Sequence, residues 1–366
     1  MPLSLNQIKK RADELNCSEE FKKEILSYAK NLLDQRLPVI FSLYDFAGKI
    51  DLYIGLINSV LKSPNSHYKF YKLRKKKGGY RWINSPDELL KGIQFWIYKF
   101  ILRKVTSHES SFGFVPGKSI ADNTFPHTNQ EVILNIDLYR FFDTITQRRV
   151  FGVFKWLGYH PNLAYSFAQL LTVQQNYGYW KEIENEAVFS SDFLSARPHC
   201  LPQGSPASPA IANIVCYRMD IRFKKLADSI GCNYTRYADD ITFSGDSKNI
   251  PSINTIRKII KDEGFYINEN KIKYTRQNNR QEVTGLVVNN GVRVKRKYKQ
   301  KVRTELYHCL KHGPEDHLAW LRKNKGLEEK SNYRDYLLGK ICFIYSVEPK
   351  VGKEYLEMYN QINWEL

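Results

Sequence analysis

Residues 234–245 read Tyr-Thr-Arg-Tyr-Ala-Asp-Asp-Ile-Thr-Phe-Ser-Gly. Two adjacent carboxylates, Asp239 and Asp240, stand between two short runs rich in aromatic and β-branched residues, which predicts a strand, a tight turn and a second strand. Successive side chains of a strand point to opposite faces, so only one of the pair can point squarely at a metal ion. Adjacent aspartates are also ordinary turn residues, because Asp tolerates left-handed backbone and bonds its own main chain. The pair alone therefore leaves both interpretations open.

A further carboxylate stands in residues 132–138, which read Val-Ile-Leu-Asn-Ile-Asp-Leu. This apolar run predicts a strand ending near Asp137, where an unpaired buried carboxylate would be costly without a cation. Asp137, Asp239 and Asp240 would thus come from two strands. Such a set suits two Mg²⁺ ions.

Composition predicts a globular protein with a polyanionic partner. The formal net charge is +18 at pH 7, from 56 Lys+Arg against 38 Asp+Glu, and 42% of the residues are hydrophobic. Such an excess of cations favours nucleic acid, because binding to phosphates rewards it. The six cysteines are scattered without zinc-site spacing. No apolar run approaches the roughly 20 residues needed to span a bilayer, so we expect a cytoplasmic protein without a membrane partner.

Three motifs, in this order along the chain, resemble the palm of a reverse transcriptase: residues 135–142 (Asn-Ile-Asp-Leu-Tyr-Arg-Phe-Phe), 201–209 (Leu-Pro-Gln-Gly-Ser-Pro-Ala-Ser-Pro) and 237–240 (Tyr-Ala-Asp-Asp). The resemblance covers about residues 65 to 300. Residues 123–127 (Asn-Thr-Phe-Pro-His) are similar to the NAxxH signature of bacterial retron reverse transcriptases, with Thr124 where that family usually has Ala. Residues 283–285 are similar to its VTG signature.

The resemblance implies an α+β right-hand polymerase with fingers, palm and thumb, preceded by a helical N-terminal extension. The expected divisions are a helical region at 1–64, fingers at 65–131, a palm with the catalytic hairpin at 132–290, and an RNA-binding thumb at 291–366. In the implied mechanism Asp137 and Asp239 bridge two Mg²⁺ ions, with help from Asp240 and the Leu138 carbonyl oxygen.

The resemblance also implies a set of nucleotide-binding residues. A basic hairpin with a Gly-Gly turn corresponds to the fingertip, where cations can bind a triphosphate, although a charged run is also typical of a solvated face. Phe142 would exclude a 2′-hydroxyl, or else belong to the core, and Lys271 would lie near the leaving pyrophosphate. Gly204 permits close backbone approach beside Gln203, which can contact template or nucleotide. The full set is Arg74, Lys75, Arg81, Phe142, Gln203 and Lys271.

Two further stretches are expected to bind RNA. Residues 283–294 predict a hairpin with Asn-Gly in its turn. The basic segment that follows begins a helix, and its cations suit a surface that tracks a phosphate backbone. Together with the NAxxH-like residues, the predicted RNA-binding set is Asn123, His127, Val283, Thr284, Gly285, Arg293, Lys295, Arg296, Lys297 and Lys299.

Residues 172–199 are aromatic and polar without a helical or strand period. They are more numerous than expected between the flanking motifs. We therefore expect an insertion that is dispensable for metal chemistry and serves a partner or a particular RNA shape.

The expected function is that of an RNA-directed DNA polymerase of a retron. Such an enzyme makes branched, RNA-linked single-stranded DNA (msDNA) from a cognate structured non-coding RNA, here in anti-phage defence. The expected partners are that RNA and its DNA product, dNTPs, a separate defence effector protein, and host RNase H for template removal. Two alternatives stay open: an abortive-infection or other defence reverse transcriptase making untemplated or differently primed DNA, and a non-catalytic RNA-binding module.

Overall fold

A computed structural model describes residues 4–74, 80–184, 189, 191–325 and 332–364 of the chain. Lys75, one of the predicted triphosphate ligands, lies outside these residues. The chain divides into two compact units. The first unit comprises Met1–Val115, Leu138–Lys224 and Ser252–Asn268, and the second comprises Pro116–Asp137, Lys225–Pro251 and Glu269–Leu366. Within the described ranges, no helix is both long and apolar enough to cross a membrane.

Helices dominate the described chain. They are α1 (Leu5–Glu14), α2 (Glu19–Asp34), α3 (Leu43–Lys49), α4 (Ile54–Lys62), α5 (Glu88–Phe100), α6 (Ile120–Thr124), α7 (Gln147–Trp156), α8 (Pro161–Leu171), α9 (Tyr177–Ile183), α10 (Ser191–Ala196), α11 (Ser208–Ile230), α12 (Ile253–Asp262), α13 (Arg296–His312), α14 (Pro314–Lys325), α15 (Tyr333–Val347) and α16 (Pro349–Asn360). The strands are β1 (Tyr68–Arg74), β2 (Tyr80–Pro86), β3 (Val132–Asp137), β4 (Asn233–Tyr237), β5 (Asp240–Gly245), β6 (Lys273–Arg276), β7 (Glu282–Val283) and β8 (Leu286–Val287).

The N-terminal region is helical, as the sequence predicts. Ser4, Ser18 and Ser42 each accept a backbone hydrogen bond at the start of α1, α2 and α3, so serine N-caps begin these three helices. The apolar sides of α3, α7 and α8 meet in an aromatic core. Phe46 and Phe154 pack against Phe167 with ring centroids 5.0 and 5.1 Å away.

Two antiparallel strands, β1 and β2, form a hairpin in the first unit. Arg74 pairs with Tyr80 and Leu73 pairs with Arg81. Directly paired side chains share a face of a ribbon and successive ones alternate. Arg74 and Arg81 therefore lie on opposite faces of the hairpin, and their predicted contact with a triphosphate stays a prediction.

The second unit is built on a four-stranded antiparallel sheet in the order β4-β5-β3-β6. Its central strands, β5 and β3, are buried on both faces. Ile136 and Ile241 pair on one face, as do Leu134 and Phe243. The other face is polar near the middle, where Thr242 donates a hydrogen bond to Asn135 at 3.2 Å.

Buried polar side chains fix the second unit's short helices to this sheet. His127, which has no exposed surface, lies 2.6 Å from the Ser244 hydroxyl and 2.8 Å from the Thr235 hydroxyl. Asn123, 1% exposed, donates weakly to Thr284 at 3.5 Å. The side chains of Asn123 and His127 are enclosed by protein, which gives both residues a structural role, and their contact with RNA stays a prediction.

A small hairpin, β7 and β8, follows the sheet in the second unit. Its turn is Thr284-Gly285, with φ of 45° and 88°, conformations that a tight hairpin turn requires. The chain turns again near the predicted Asn-Gly, where Val287 bridges Arg293. The prediction thus missed the first turn: the VTG-like residues reverse the chain themselves, and Val283 is buried at 1% exposure.

Helices α13 to α16 form a bundle in the second unit around an apolar cluster of buried side chains: Leu286, Val294, Val302, Leu306, Cys309, Leu321, Tyr333, Leu337, Ile341, Ile344, Tyr355, Tyr359 and Ile362. The cluster includes Leu286 from β8 and Val294 from the segment before α13. Val294 therefore anchors the start of the basic segment that leads into α13.

His127 gives the second unit a pH-dependent stability. Burial lowers the pKa of its imidazole from 6.5 to about 3. A base with a depressed folded pKa stabilises the fold fully above pH 6.5, and this contribution is lost as pH falls from 6.5 towards 3. We predict that in His127→Gln the slope of unfolding free energy against pH flattens in this window by up to about 1.4 kcal/mol per pH unit.

Urea unfolding at a series of pH values measures this slope. The same change at the exposed His160 controls for loss of an imidazole elsewhere. Equal slopes in the wild type and His127→Gln would show that the buried ring does not titrate as proposed.

Candidate active site

Carboxylates meet at one end of the second unit's sheet. β4 and β5 pair antiparallel with Tyr237 opposite Asp240, so the turn between them is Ala238-Asp239. The strand–turn–strand predicted from the sequence is confirmed. Asp240 also pairs with Asp137, the last residue of β3. Because directly paired residues share a face, Asp137 and Asp240 lie side by side, with Asp239 next to them in the turn.

A buried arginine supports this turn. Ala238 has φ of 57°, and Arg236, 0% exposed, donates from Nη1 to the Ala238 carbonyl oxygen at 3.0 Å. Arg236 was not among the residues predicted from the sequence to form the site. The sequence does carry a signal for Arg236, because a charged residue between Thr235 and Tyr237, inside a strand-like run, is unusual unless it contacts a polar group.

The carboxylates affect one another electrostatically. Burial against protein atoms, with the nearby charges of Asp239 and Asp137, raises the pKa of Asp240 to about 7, while Lys271 opposes the rise. The residue as a whole is nevertheless exposed. Its carboxyl group thus combines access to solvent with repulsion from like charges, an arrangement that favours binding of a cation.

Lys271 is a cation in direct contact with these carboxylates. It lies in a short 3₁₀ turn, Glu269–Lys271, and its Nζ donates to both carboxylate oxygens of Asp137 at 2.8 Å. The structure therefore brings this sequence-predicted residue to the carboxylates. Its side chain is 58% exposed, so the contact can open without repacking the core.

The residues present fit a divalent cation in their chemistry. Hard cations such as Mg²⁺ prefer carboxylate oxygens and bind through one or two of them with waters and substrate phosphates. Such oxygens are supplied at one end of the sheet by Asp137, Asp239 and Asp240. In the described part of the chain, no group of three or more His, Cys, Asp or Glu side chains already has metal-binding geometry.

The residues that follow Asp137 belong to the first unit. Leu138 is 2% exposed and bridges Ile267. Phe141 and Phe142 lie in the 3₁₀ turn Phe141–Thr144, where Phe141 is 3% exposed and Phe142 is only partly buried. One aromatic therefore belongs to the core while its neighbour keeps some exposed surface.

The 201–209 motif contacts β2 in the first unit. The Asn84 amide donates to the Gln203 carbonyl oxygen at 3.0 Å. Gly204 has φ of 147°, and a Cβ placed there would come within 2.6 Å of the Asn84 carbonyl oxygen. The predicted close backbone approach at Gly204 is confirmed, and only glycine fits this contact.

Residues 172–199 contain two helices, α9 and α10, and a small core of their own. Tyr179, Trp180, Ile183 and Phe189 are buried, and Trp82, Tyr139 and Tyr266 pack against them. The aperiodic sequence did not predict these helices. The helices are short and bury neighbouring aromatic residues on more than one side, so no single helical stripe shows in the sequence.

This segment fastens β2 through hydrogen bonds. Asn84 and Gln175 exchange two side-chain bonds at 3.0 and 3.1 Å, both buried. Glu182 accepts from Lys72 on β1 and from the Trp82 indole on β2, each at 3.0 Å, and these bonds lower its pKa against the effect of burial. The Lys72 ammonium also lies 4.3 Å from the Trp82 ring centroid. One carboxylate thus joins both strands of the hairpin to α9.

The predicted RNA-binding cations fall into two groups. Lys299 donates to Glu348 at 2.7 and 2.9 Å, and Lys295 pairs with Glu282. These two lysines hold α13 and the segment before it in place through acidic partners that the sequence did not indicate, and their contact with RNA stays a prediction. The exposed cations of the set are Arg293, Arg296 and Lys297.

An antiparallel sheet with three carboxylates at one end, followed in the chain by a helical bundle, defines a nucleotide-polymerising enzyme of the palm type. The family described as "Reverse transcriptase (RNA-dependent DNA polymerase)" matches residues 73–298. The chain belongs to this family and, within it, to the retron reverse transcriptases. The expected fold class and enzyme class are confirmed.

The relatives support this assignment over most of the chain. The retron Ec86 reverse transcriptase of Escherichia coli is 31% identical over 325 residues, which cover 87% of this chain and 92% of the relative. The retron Mx162 enzyme of Myxococcus xanthus is 30% identical over 318 residues, 81% of this chain and 61% of the relative. A solved telomerase structure from Candida albicans, with telomeric RNA, covers 80% of this chain and 63% of its own at 15% identity and a TM-score of 0.39.

Glu182 should determine how firmly the β1–β2 hairpin is held. In Glu182→Gln the charge that attracts Lys72 is lost while the side-chain shape is kept. We predict that amide hydrogen exchange in β1 and β2 speeds up roughly 3- to 10-fold, as expected for losing a charge-assisted bond that is partly exposed. Exchange in the α7–α8 core should not change.

The nearby Glu184→Gln is the matched control, because Glu184 is exposed. Unchanged exchange in β1 and β2 of Glu182→Gln would mean that the apolar packing alone holds the hairpin.

Proposed function

We propose that this enzyme copies a structured non-coding RNA of its own into DNA and leaves the two joined as msDNA. The observation that supports this most is the pairing of Asp137 with Asp240 beside Asp239, in a chain whose relatives are named retron reverse transcriptases. In this proposal 65–131 form the fingers, 132–290 the palm and 291–366 the thumb. A 2′-hydroxyl of the RNA serves as the primer.

Reverse transcriptases use divalent metal ions, and two Mg²⁺ are proposed here. Asp137, Asp239 and Asp240, with the Leu138 carbonyl oxygen, would hold them. When bound, such ions lower the pKa of the attacking hydroxyl and stabilise the charge of an in-line displacement. Lys271 donates to Asp137 at 2.8 Å, and its side chain is exposed enough that it could leave this carboxylate and donate to the leaving pyrophosphate.

Further nucleotide contacts are proposed from the resemblance to reverse transcriptases. Arg81 and Arg74 are exposed on opposite faces of their hairpin, so we propose that only one of them meets the triphosphate while the other contacts base or template. Lys75 remains a candidate from its place in the sequence. Gln203 lies at the loop that Gly204 brings onto β2, where it can contact the incoming nucleotide.

The proposed partners follow from the reaction and from the relatives. The RNA binds through Thr284, Gly285, Arg293, Arg296 and Lys297, which keep exposed or partly exposed surface. The DNA product and dNTPs follow from polymerisation. A separate effector protein in anti-phage defence, host RNase H and a cytoplasmic location belong to the same proposal. Intact carboxylates argue against a non-catalytic RNA-binding module, and retron relatives argue against an abortive-infection enzyme.

Asp239→Asn should separate binding from synthesis. The change removes a carboxylate charge without changing shape, so DNA synthesis should fall by at least about 100-fold, since even an outer-shell partner of a metal contributes roughly 10- to 100-fold. RNA binding should be nearly intact, because the basic surface is untouched. Sequencing the nucleic acid that copurifies should show RNA joined to DNA with wild type and RNA alone with Asp239→Asn.

The exposed Asp246→Asn is the control and should behave as wild type. DNA without any attached RNA in the wild-type preparation would favour untemplated synthesis. DNA in the Asp239→Asn preparation would contradict the proposed carboxylate mechanism.

Phe142 is proposed to exclude ribonucleotides, because it keeps exposed surface while Phe141 fills the core. In Phe142→Ala, space opens for a 2′-hydroxyl, so rNTP incorporation relative to dNTP should rise on the order of tenfold or more. Single-nucleotide extension with each substrate measures the ratio. Phe142→Tyr, which keeps the ring, should retain wild-type selectivity. An unchanged ratio in Phe142→Ala would show that another residue excludes ribonucleotides.

A further inference from the structure

Near-parallel aromatic rings stand together on α13 and α14 of the second unit. The rings of His308 and His317 are 5.2 Å apart at 14°, and those of His317 and Trp320 are 6.5 Å apart at 10°. His308 is also nearly parallel to Trp320, at 20°, and to His312, at 25°. Parallel, offset rings are the geometry by which flat aromatic groups stack.

The stack runs from the interior of the bundle to its surface. His317 is 5% exposed and packs 6.2 Å from the ring of Tyr333, which belongs to the bundle's core. Trp320 is 51% exposed, as is the neighbouring Tyr307. Half of the surface of Trp320 is thus exposed beside rings that the bundle core holds in place, so it has surface with which to contact a flat ligand.

The charges around the stack favour an anion. Lys297, Lys301 and Lys311 are exposed and recur at spacings that return to the face of α13 carrying His308. The nearest buried acid, Glu305, is neutralised by Lys340 at 2.9 and 3.0 Å. Two exposed acids, Glu315 and Asp316, occupy the first turn of α14, where the helix dipole favours them.

We propose that Trp320, supported by His317 and His308, stacks an unpaired nucleobase while the lysines of α13 bind the adjoining phosphates. A basic surface next to an exposed aromatic face is how proteins bind single-stranded nucleic acid, since every base has a flat face. The ligand is therefore a single-stranded stretch. This inference rests on the proposed function and adds to it a site for unpaired nucleotides of the template RNA or of the growing DNA.

The test measures binding of the full-length protein to short oligouridylate, oligothymidylate and a blunt RNA duplex of similar length. Trp320→Ala should weaken binding of a single-stranded oligomer about 5- to 100-fold, the loss expected for one stacked base. The salt dependence should not change, because stacking releases no counterions. Trp320→Phe should recover most of the affinity. Replacing Lys297 and Lys301 by Gln should instead flatten the salt dependence.

Trp156→Ala is the matched control, because Trp156 is 67% exposed on α7 of the first unit. Loss on oligouridylate alone assigns the site to RNA, and loss on oligothymidylate assigns it to the DNA product as well. Wild-type binding by Trp320→Ala, or an equal loss on the duplex, would overturn the inference. Extension of an annealed primer–template should persist in Trp320→Ala, whereas its absence in the wild type would contradict the proposed function instead.

Discussion

Repulsion between carboxylates at one end of the sheet is the constraint on which this site depends. The register of β3 and β5 puts Asp137 opposite Asp240, and the two-residue turn adds Asp239. Nothing in an antiparallel sheet requires three acids to meet there, and burial together with the charges of Asp239 and Asp137 raises the pKa of Asp240. The arrangement becomes favourable only with a cation, and the Lys271 ammonium on Asp137 supplies part of that charge.

The rest of the second unit keeps this register from slipping. A shift by one residue would turn the acids to the opposite face of the sheet. The buried His127 prevents this by bonding β4 through Thr235 and β5 through Ser244, while Arg236 supports the turn. In the first unit, Asn84 and Glu182 fix the β1–β2 hairpin in a similar way. Polar bonds thus set positions in both units, around apolar cores that supply stability.

Local patterns predicted the parts of the site that depend on neighbouring residues. Alternation and turn chemistry were enough for the strand, turn and strand around Asp239 and for the strand ending at Asp137. They could not show that His127 is enclosed, because its partners Ser244 and Thr235 lie more than a hundred residues away in the chain. The ion pair of Lys299 could not be predicted for the same reason, since Glu348 is distant in sequence. The helices of 172–199 escaped notice because neighbouring residues there are buried together.

Thermal unfolding with and without Mg²⁺ tests the central claim most directly. A ligand that binds only the folded state raises its melting temperature. We expect Mg²⁺ to raise the melting temperature of the wild type. Without Mg²⁺, Asp240→Asn should melt at a higher temperature than the wild type, because the repulsion between the carboxylates is already relieved. With Mg²⁺, Asp240→Asn should lose most of the rise in melting temperature that the wild type shows. An equal rise with Mg²⁺ in both proteins, and no difference without it, would show that the three carboxylates neither strain the fold nor bind the metal.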